Sequence, residues 1–151
     1  MRAKILSASA GSGKTYRLAY KFVHDTIKHF TSKPYLYRAI LAVTFTNKAT
    51  EQMKSRILKE INCLATNIDN SSYLGDLQRD LGLDKSEITK RAKIIRTRIL
   101  HDYSHFMVLT IDKFFQRIFC DRVFGHVKYV KRQLFHRIIC ILQEFRQRQP
   151  W

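Results

Sequence analysis

Near the amino end, Ala8-Ser9-Ala10-Gly11-Ser12-Gly13-Lys14-Thr15 lies between a short apolar run, Ile5-Leu6, and a stretch with helical periodicity. These residue types in this order can hold a chain of phosphates. Glycines let the backbone turn tightly through positive φ and bring several N–H groups toward one anion. A helix that starts there adds the positive end of its dipole. Lys14 has the length to reach β- and γ-phosphates, and the Thr15 hydroxyl suits Mg²⁺. Ala8 stands where the strict pattern G-x-x-x-x-G-K-[ST] has its first glycine, and alanine is the next smallest residue. The plainer reading is a glycine-rich turn that only caps a helix. Strand, loop, Lys-Thr and helix in sequence favour a nucleotide.

The bulk composition points to a polyanionic partner. Lys and Arg number 28 against 12 Asp and Glu, a formal net charge of +16. Such a surplus attracts phosphate backbones at long range and binds them by releasing counterions. Cys63, Cys120 and Cys140 are far apart and form no C-x-x-C pair, which argues against a zinc site or a disulfide framework. The six histidines show no metal or triad spacing; His101 and His105 are four apart, with no third ligand evident. No apolar run approaches the length of a membrane span. Met1-Arg2-Ala3-Lys4 is not followed by a secretory core, so a cytoplasmic location with no membrane partner is expected.

The elements that must position these groups follow from periodicity. Lys4–Leu6 reads as a strand ending at the loop. From Thr15 to about Phe30 a helix is predicted, with Ala19, Phe22, Val23, Thr26, Ile27 and Phe30 on one face. Ser32-Lys33-Pro34 ends it. Ala39–Thr44 suits a buried parallel strand. Thr46-Asn47 then offers capping chemistry, with Glu51 expected in the first turn and Ala49, Met53, Ile57, Ile61 and Leu64 as the apolar stripe. Strand, helix, strand, helix implies a parallel sheet with crossovers. Asn67–Ser72 is a polar loop. Helices are predicted over Leu74–Leu83 and Lys85–Tyr103, split at Gly82, with Asp84-x-x-Glu87 as a capping box. Phe106–Ile111 is a third strand. Asp112 is expected to cap a last helix with Phe115, Ile118 and Phe119 on its apolar side. Tyr129–Trp151 has apolar residues at helical spacing among many arginines.

Three blocks then resemble one family. They are Ser7–Thr15, Ile40–Ile57 with its Val43-Thr44-Phe45-Thr46-Asn47-Lys48-Ala49 core, and Leu109-Thr110-Ile111-Asp112-Lys113-Phe114-Phe115-Gln116-Arg117. In order and spacing they are similar to motifs I, Ia and Ib of the UvrD/RecB-type superfamily 1 DNA helicases. The first block is shared by many ATPases; the second is far more specific. The resemblance implies an α/β fold: a partial RecA-like P-loop NTPase parallel sheet with flanking helices and a helical, 1B-like insertion. Residues 1–128 would be the N-terminal part of the ATP-binding domain, 66–104 the insertion, and 129–151 a basic helical tail foreign to the family.

The resemblance also implies roles. Ala8, Ser9, Ala10, Gly11, Ser12, Gly13, Lys14 and Thr15 would hold ATP, with Lys14 and Thr15 catalytic and Thr15 meeting Mg²⁺. Thr44, Phe45, Thr46, Asn47, Thr110 and Asp112 would lie at a groove for single-stranded or partly duplex DNA. Further helicase or nuclease subunits are implied partners. The residues themselves agree in part, because α/β folds place ligands beyond the carboxyl ends of strands. Phe45 is either a base-stacking ring or core; Asn47 caps its helix, holds phosphate, or does both. Phe114, Phe115 and Phe119 fit core better than a base platform, and Lys48, Lys54 and Arg56 fit a solvated face.

The departures are as informative. No two acidic residues are adjacent anywhere in the chain, so the Walker B pair that holds metal and activates water has no counterpart. A second RecA-like domain is also missing. The expectation is a truncated or frame-shifted product of a longer helicase gene, binding ATP and DNA but hydrolysing little. Two other classes compete. A small P-loop kinase would transfer phosphoryl groups to nucleosides or nucleotides. A non-enzymatic basic nucleic-acid-binding protein would ignore ATP.

Overall fold

Two short parallel strands, Ala42–Thr44 (β1) and Val108–Thr110 (β2), hold the framework, in the register Ala42 to Val108, Val43 to Leu109 and Thr44 to Thr110. A computed structural model describes residues 13–123, with side chains through residue 117. Helix α1 (Lys14–Lys28) precedes β1. Helices α2 (Asn47–Thr66), α3 (Leu74–Leu81) and α4 (Lys85–His101) fill the crossover, and α5 (Ile111–Val123) follows β2. Single 3-10 turns occur at Leu36–Arg38, Ile68–Asn70 and Tyr103–His105. The expected first strand at Lys4–Leu6, loop residues Ala8 to Ser12 and the tail 129–151 lie outside the described residues. So do the side chains of Ile118 and Phe119.

Strand alternation sorts the sheet into two faces. Ala42 and Val108 join the main core with Ile40 and Phe106. Leu41, Val43 and Met107 form a second cluster with Leu109, Ile111 and Phe114 on the other side. Both predicted strands are shorter than expected. Ile40, Leu41, Phe106 and Met107 are buried but lie outside the ladder, which three residue pairs complete.

The helical stripes explain the main core. Ala19, Phe22, Val23, Thr26 and Ile27 of α1 are buried, as predicted, and Phe30 is half-buried. Thr26 satisfies its hydroxyl inside the core by donating to the Phe22 and Val23 carbonyls, each at 2.9 Å. In α2, Met53, Ile57, Ile61 and Leu64 turn inward against α4, whose Ile88, Ala92, Ile95 and Ile99 sit at matching spacing. Gly82 ends α3 with φ +62°, a left-handed cap that other residues adopt only at a cost.

Several local expectations are corrected. The cap of α2 is Thr46, whose Oγ1 accepts from the Ala49 N–H at 3.1 Å; Asn47 is the first helical residue and Glu51 lies beyond the first turn. Asp84 caps α4 through the Ser86 N–H, but the Glu87 carboxylate accepts from Arg91 at 2.8 Å. Before α5 the capping oxygen belongs to Thr110, which accepts from the Lys113 N–H at 3.3 Å, while Asp112 lies in the first turn. Phe114, not Phe115, faces the core; Phe115 is exposed.

Tyrosines lock α1 to the α2–α3 junction. The Tyr73 hydroxyl donates to the Tyr16 carbonyl at 3.1 Å, and Tyr20 donates to the Asp80 carboxylate. Tyr73 meets the Tyr16 and Tyr20 rings edge-on at 4.8 and 5.4 Å. Burial, with Asp80 beside Tyr20 and Glu60 near Tyr73, pushes both phenols well above their ordinary pKa of 10.0. Above about pH 10 the unfolded chain therefore binds fewer protons than the folded one, and stability falls as pH rises. The thermal midpoint is expected to drop once pH passes about 10, and Tyr20→Phe with Tyr73→Phe to flatten that drop. Wild-type and variant curves of identical alkaline slope would contradict this.

Candidate functional site

Gly13 opens α1 with φ +71° and ψ +17°. Among the described residues a Cβ there would meet nothing within 4 Å, and the left-handed backbone calls for glycine. Lys14 is the first helical residue, and Lys14 and Thr15 are both half-buried. The first turn of α1 carries no acidic residue, so its amides and dipole face no competing carboxylate from that turn. Of the eight expected nucleotide residues, Gly13, Lys14 and Thr15 are described; Ala8, Ser9, Ala10, Gly11 and Ser12 are not. Among the described residues, no group of three His, Cys, Asp or Glu is placed to hold a metal ion.

The second group of candidates gathers at the carboxyl ends of β1 and β2. Thr44 and Thr110 face each other in register, and both side chains are buried. Thr44 Oγ1 and Thr50 Oγ1 share a hydrogen bond at 2.5 Å, and each lies 3.1 Å from the Thr46 carbonyl, which accepts from the hydroxyl that is not donating to the other. This knot fixes the turn from β1 into α2. It thrusts Phe45 outward, 47% exposed, with Thr46 and Asn47 exposed beside it. The neighbouring turn from β2 into α5 is fixed by the Thr110 cap and leaves Asp112 and Lys113 exposed. Two helix N-termini therefore open at one edge, and first-turn N–H groups have no partner within their own helix.

Thr44 and Thr110 thus use their hydroxyls inside the protein, whereas Phe45, Thr46, Asn47 and Asp112 are accessible. Thr50 was not singled out from the sequence. Its only signal is its place four residues after the capping Thr46, where a hydroxyl reaches back to a carbonyl. Phe45 is exposed, which overturns its reading as a core residue.

Hydrogen bonds tie the start of α1 to the segment that follows α2, at the end of α2 far from Phe45. The Tyr16 hydroxyl, just beyond Thr15, donates to the Ser72 carbonyl at 2.9 Å, and Ser72 is tied to the Glu60 carboxylate. Glu60 lies 13 positions into α2 from Asn47, about 20 Å along a helix rising 1.5 Å per residue. An open depression of about 570 Å³ runs along α2, lined by Glu51, Lys54, Ser55, Leu58, Lys59, Asn62 and Tyr103. Lys54 stands 5.2 Å from the Tyr103 ring centre. Burial, with the charge of Lys113 added, pulls its ammonium below the usual lysine range. No helix among the described residues is long and apolar enough to cross a membrane.

Comparison with known proteins places these features in context. The family model of the UvrD/REP helicase N-terminal domain matches residues 2–138. The chain is 45% identical over 87 residues, 56% of its length, to the ATP-dependent DNA helicase Rep of Buchnera aphidicola subsp. Baizongia pistaciae, covering 12% of that protein. It is 31% identical over 120 residues, 76% of its length, to the RecBCD enzyme subunit RecB of Buchnera aphidicola subsp. Acyrthosiphon pisum, covering 10% of that protein. A probable DNA helicase II homolog of Rickettsia felis is 41% identical over 64 residues, which are 42% of this chain and 9% of that protein. The chain therefore spans about a tenth of the length of these curated relatives. No solved structure matches it significantly.

Proposed function

The chain belongs to the UvrD/REP helicase N-terminal domain family, and from that membership we propose that it grips ATP–Mg²⁺ and DNA as the N-terminal part of a helicase ATP-binding domain. In this reading residues 1–128 belong to a RecA-like P-loop NTPase sheet with its helices, and 66–104 are its helical insertion. Residues 129–151 add a basic tail. The backbone amides of Ala8 to Gly13 cradle the phosphates, Lys14 neutralises them, and the Thr15 hydroxyl meets the magnesium. The left-handed Gly13 immediately before Lys14 supports this assignment.

DNA lies across the edge formed by the two strand-to-helix turns. The observation that carries this part is the exposed Phe45 ring beside two helix N-termini, held out by the buried Thr44–Thr50 pair. Phe45 stacks on a base, and Thr46, Asn47 and the first-turn amides meet phosphates. Thr44 and Thr110 act by positioning. Asp112, being anionic, contacts donors on a base or a water molecule, not a phosphate.

The chain as it stands lacks adjacent acidic residues to hold a second side of the metal and activate water, so binding without sustained hydrolysis is the reading. Sustained unwinding belongs to a longer or multisubunit assembly in the cytoplasm. A relative named as a RecBCD enzyme subunit supports the multisubunit form.

Stacking on an aromatic ring contributes about 1–3 kcal/mol per base, so Phe45→Ala is expected to weaken binding of a fluorescent single-stranded oligothymidine by about fivefold to a hundredfold. Fluorescence anisotropy at fixed salt measures this. Unchanged affinity in a normally folded variant would remove Phe45, and with it this edge, from the DNA site.

A further inference from the structure

Phe30, Tyr35, Arg38, Arg91 and Arg98 form a ladder in which guanidinium planes alternate with rings. The central guanidinium carbon of Arg38 lies 4.6 Å from the centre of the Tyr35 ring. That of Arg98 lies 4.9 Å from the same ring and 5.3 Å from the Phe30 ring, and that of Arg91 lies 5.9 Å from Phe30. The segment between α1 and β1 supplies Phe30, Tyr35 and Arg38. Helix α4 supplies Arg91 and Arg98, seven residues apart and so on one face. Backbone carbonyls fix the geometry. Arg98 Nη1 donates to the Pro34 carbonyl at 2.9 Å, and Arg91 Nη1 donates to the Ile27 carbonyl at 3.2 Å.

Crowding three guanidiniums carries a cost in mutual repulsion. Glu87 offsets Arg91 and Asp102 offsets Arg38, but Arg98 has no carboxylate partner among the described residues. Segments 28–38 and 87–102 hold eight Lys and Arg against only Glu87 and Asp102. Lys28, Lys33, Lys90 and Lys93 among them are exposed, as are Tyr35 and Arg38. A latch between the loop and α4 needs only the Arg98 bond to Pro34 and neutral packing. The surplus charge is what such a latch leaves unexplained.

We propose that this ladder is a second DNA-binding surface, which grips the phosphates of the sugar–phosphate backbone separately from the Phe45 edge. The rings hold each guanidinium plane in place, so little side-chain freedom is lost when a phosphate binds. Each guanidinium has five N–H donors, and two of them can pair with one phosphate. The surface lies at the other end of the strands: Arg38 and Asp102 precede the amino ends of β1 and β2, whereas Phe45 and Asp112 follow their carboxyl ends. Phe30, next to the end of α1, is also some 22 Å along that 15-residue helix from Lys14. The inference rests on the proposed function only in taking DNA as the polyanion.

The test uses the whole chain and a fluorescent oligothymidine, titrated at several salt concentrations with wild type, Phe45→Ala and the pair Arg38→Gln with Arg98→Gln. Each phosphate contact contributes about 0.7 to the slope of log affinity against log salt for single strands, so the arginine pair is expected to lower it by about 1.4. Phe45→Ala should lose affinity and keep the wild-type slope. An arginine pair with unchanged slope overturns the second surface, whatever Phe45→Ala does. A silent Phe45→Ala sinks the edge reading and leaves the ladder standing. Because Arg38 and Arg98 also tie the loop, wild-type protein is modified with phenylglyoxal with and without the oligothymidine. Protection of Arg38 and Arg98 in mass spectra is expected; equal modification overturns the proposal even where the variants misfold.

Discussion

Lys14→Ala is expected to weaken binding of a fluorescent ATP analogue with Mg²⁺ by about tenfold to a hundredfold, because a charge-assisted hydrogen bond contributes about 1.5–3 kcal/mol. Lys14 is the first residue of α1, immediately after the left-handed Gly13, so its backbone N–H lies at the positive end of the helix dipole. The remaining amides still attract phosphate, which is why some affinity is retained. DNA binding should hardly change. The substitution removes one of 28 Lys and Arg residues, and Phe45 and the arginine ladder are untouched. The salt slope falls by at most the share of a single phosphate contact, about 0.7. Equal losses of ATP and DNA affinity would show that the two ligands share one site. Unchanged ATP affinity would remove Lys14 from nucleotide binding.

Phe106→Ala is expected to cost about 3–5 kcal/mol of folding free energy, the range for deleting a buried aromatic side chain. Phe106 is 2% exposed at the entry to β2. Its ring meets Phe22 of α1 at 5.4 Å and Tyr103 at 5.8 Å, both edge-to-face. It therefore ties the strand that carries Thr110 to a helix from the other end of the sequence. A domain of this size has roughly 5–15 kcal/mol in total, so the variant should be partly unfolded or melt far below wild type. Urea denaturation followed by circular dichroism measures the loss. A change near 1 kcal/mol or below would mean that neighbouring side chains close over the space.

The helices were legible because their apolar stripes are long. The α1 and α2 stripes were readable from 3.6-residue periodicity, and Gly82 marked the break between α3 and α4. Chain ends of elements were less so. Thr46, Asn47 and Asp112 all have capping chemistry, and only the backbone shows that Thr46 and Thr110 supply the oxygens. Phe45, Phe114 and Phe115 are the same residue type, and the sequence leaves a pair of readings open for each. Their burial depends on which way each turn leaves its strand, set by the Thr44–Thr50 knot for Phe45 and by the Thr110 cap for Phe114 and Phe115, and not by local composition. The arginine ladder was illegible for a related reason. Its members lie about sixty residues apart, and no period links Tyr35 to Arg98.

The most direct measurement is a crystal structure of the chain with a non-hydrolysable ATP analogue and Mg²⁺. The account predicts phosphate density against the amides up to Gly13, the Lys14 ammonium on the terminal phosphates, and the Thr15 hydroxyl on the metal. Analogue bound elsewhere, or the start of α1 closed by the protein's own side chains at saturating nucleotide, would contradict it.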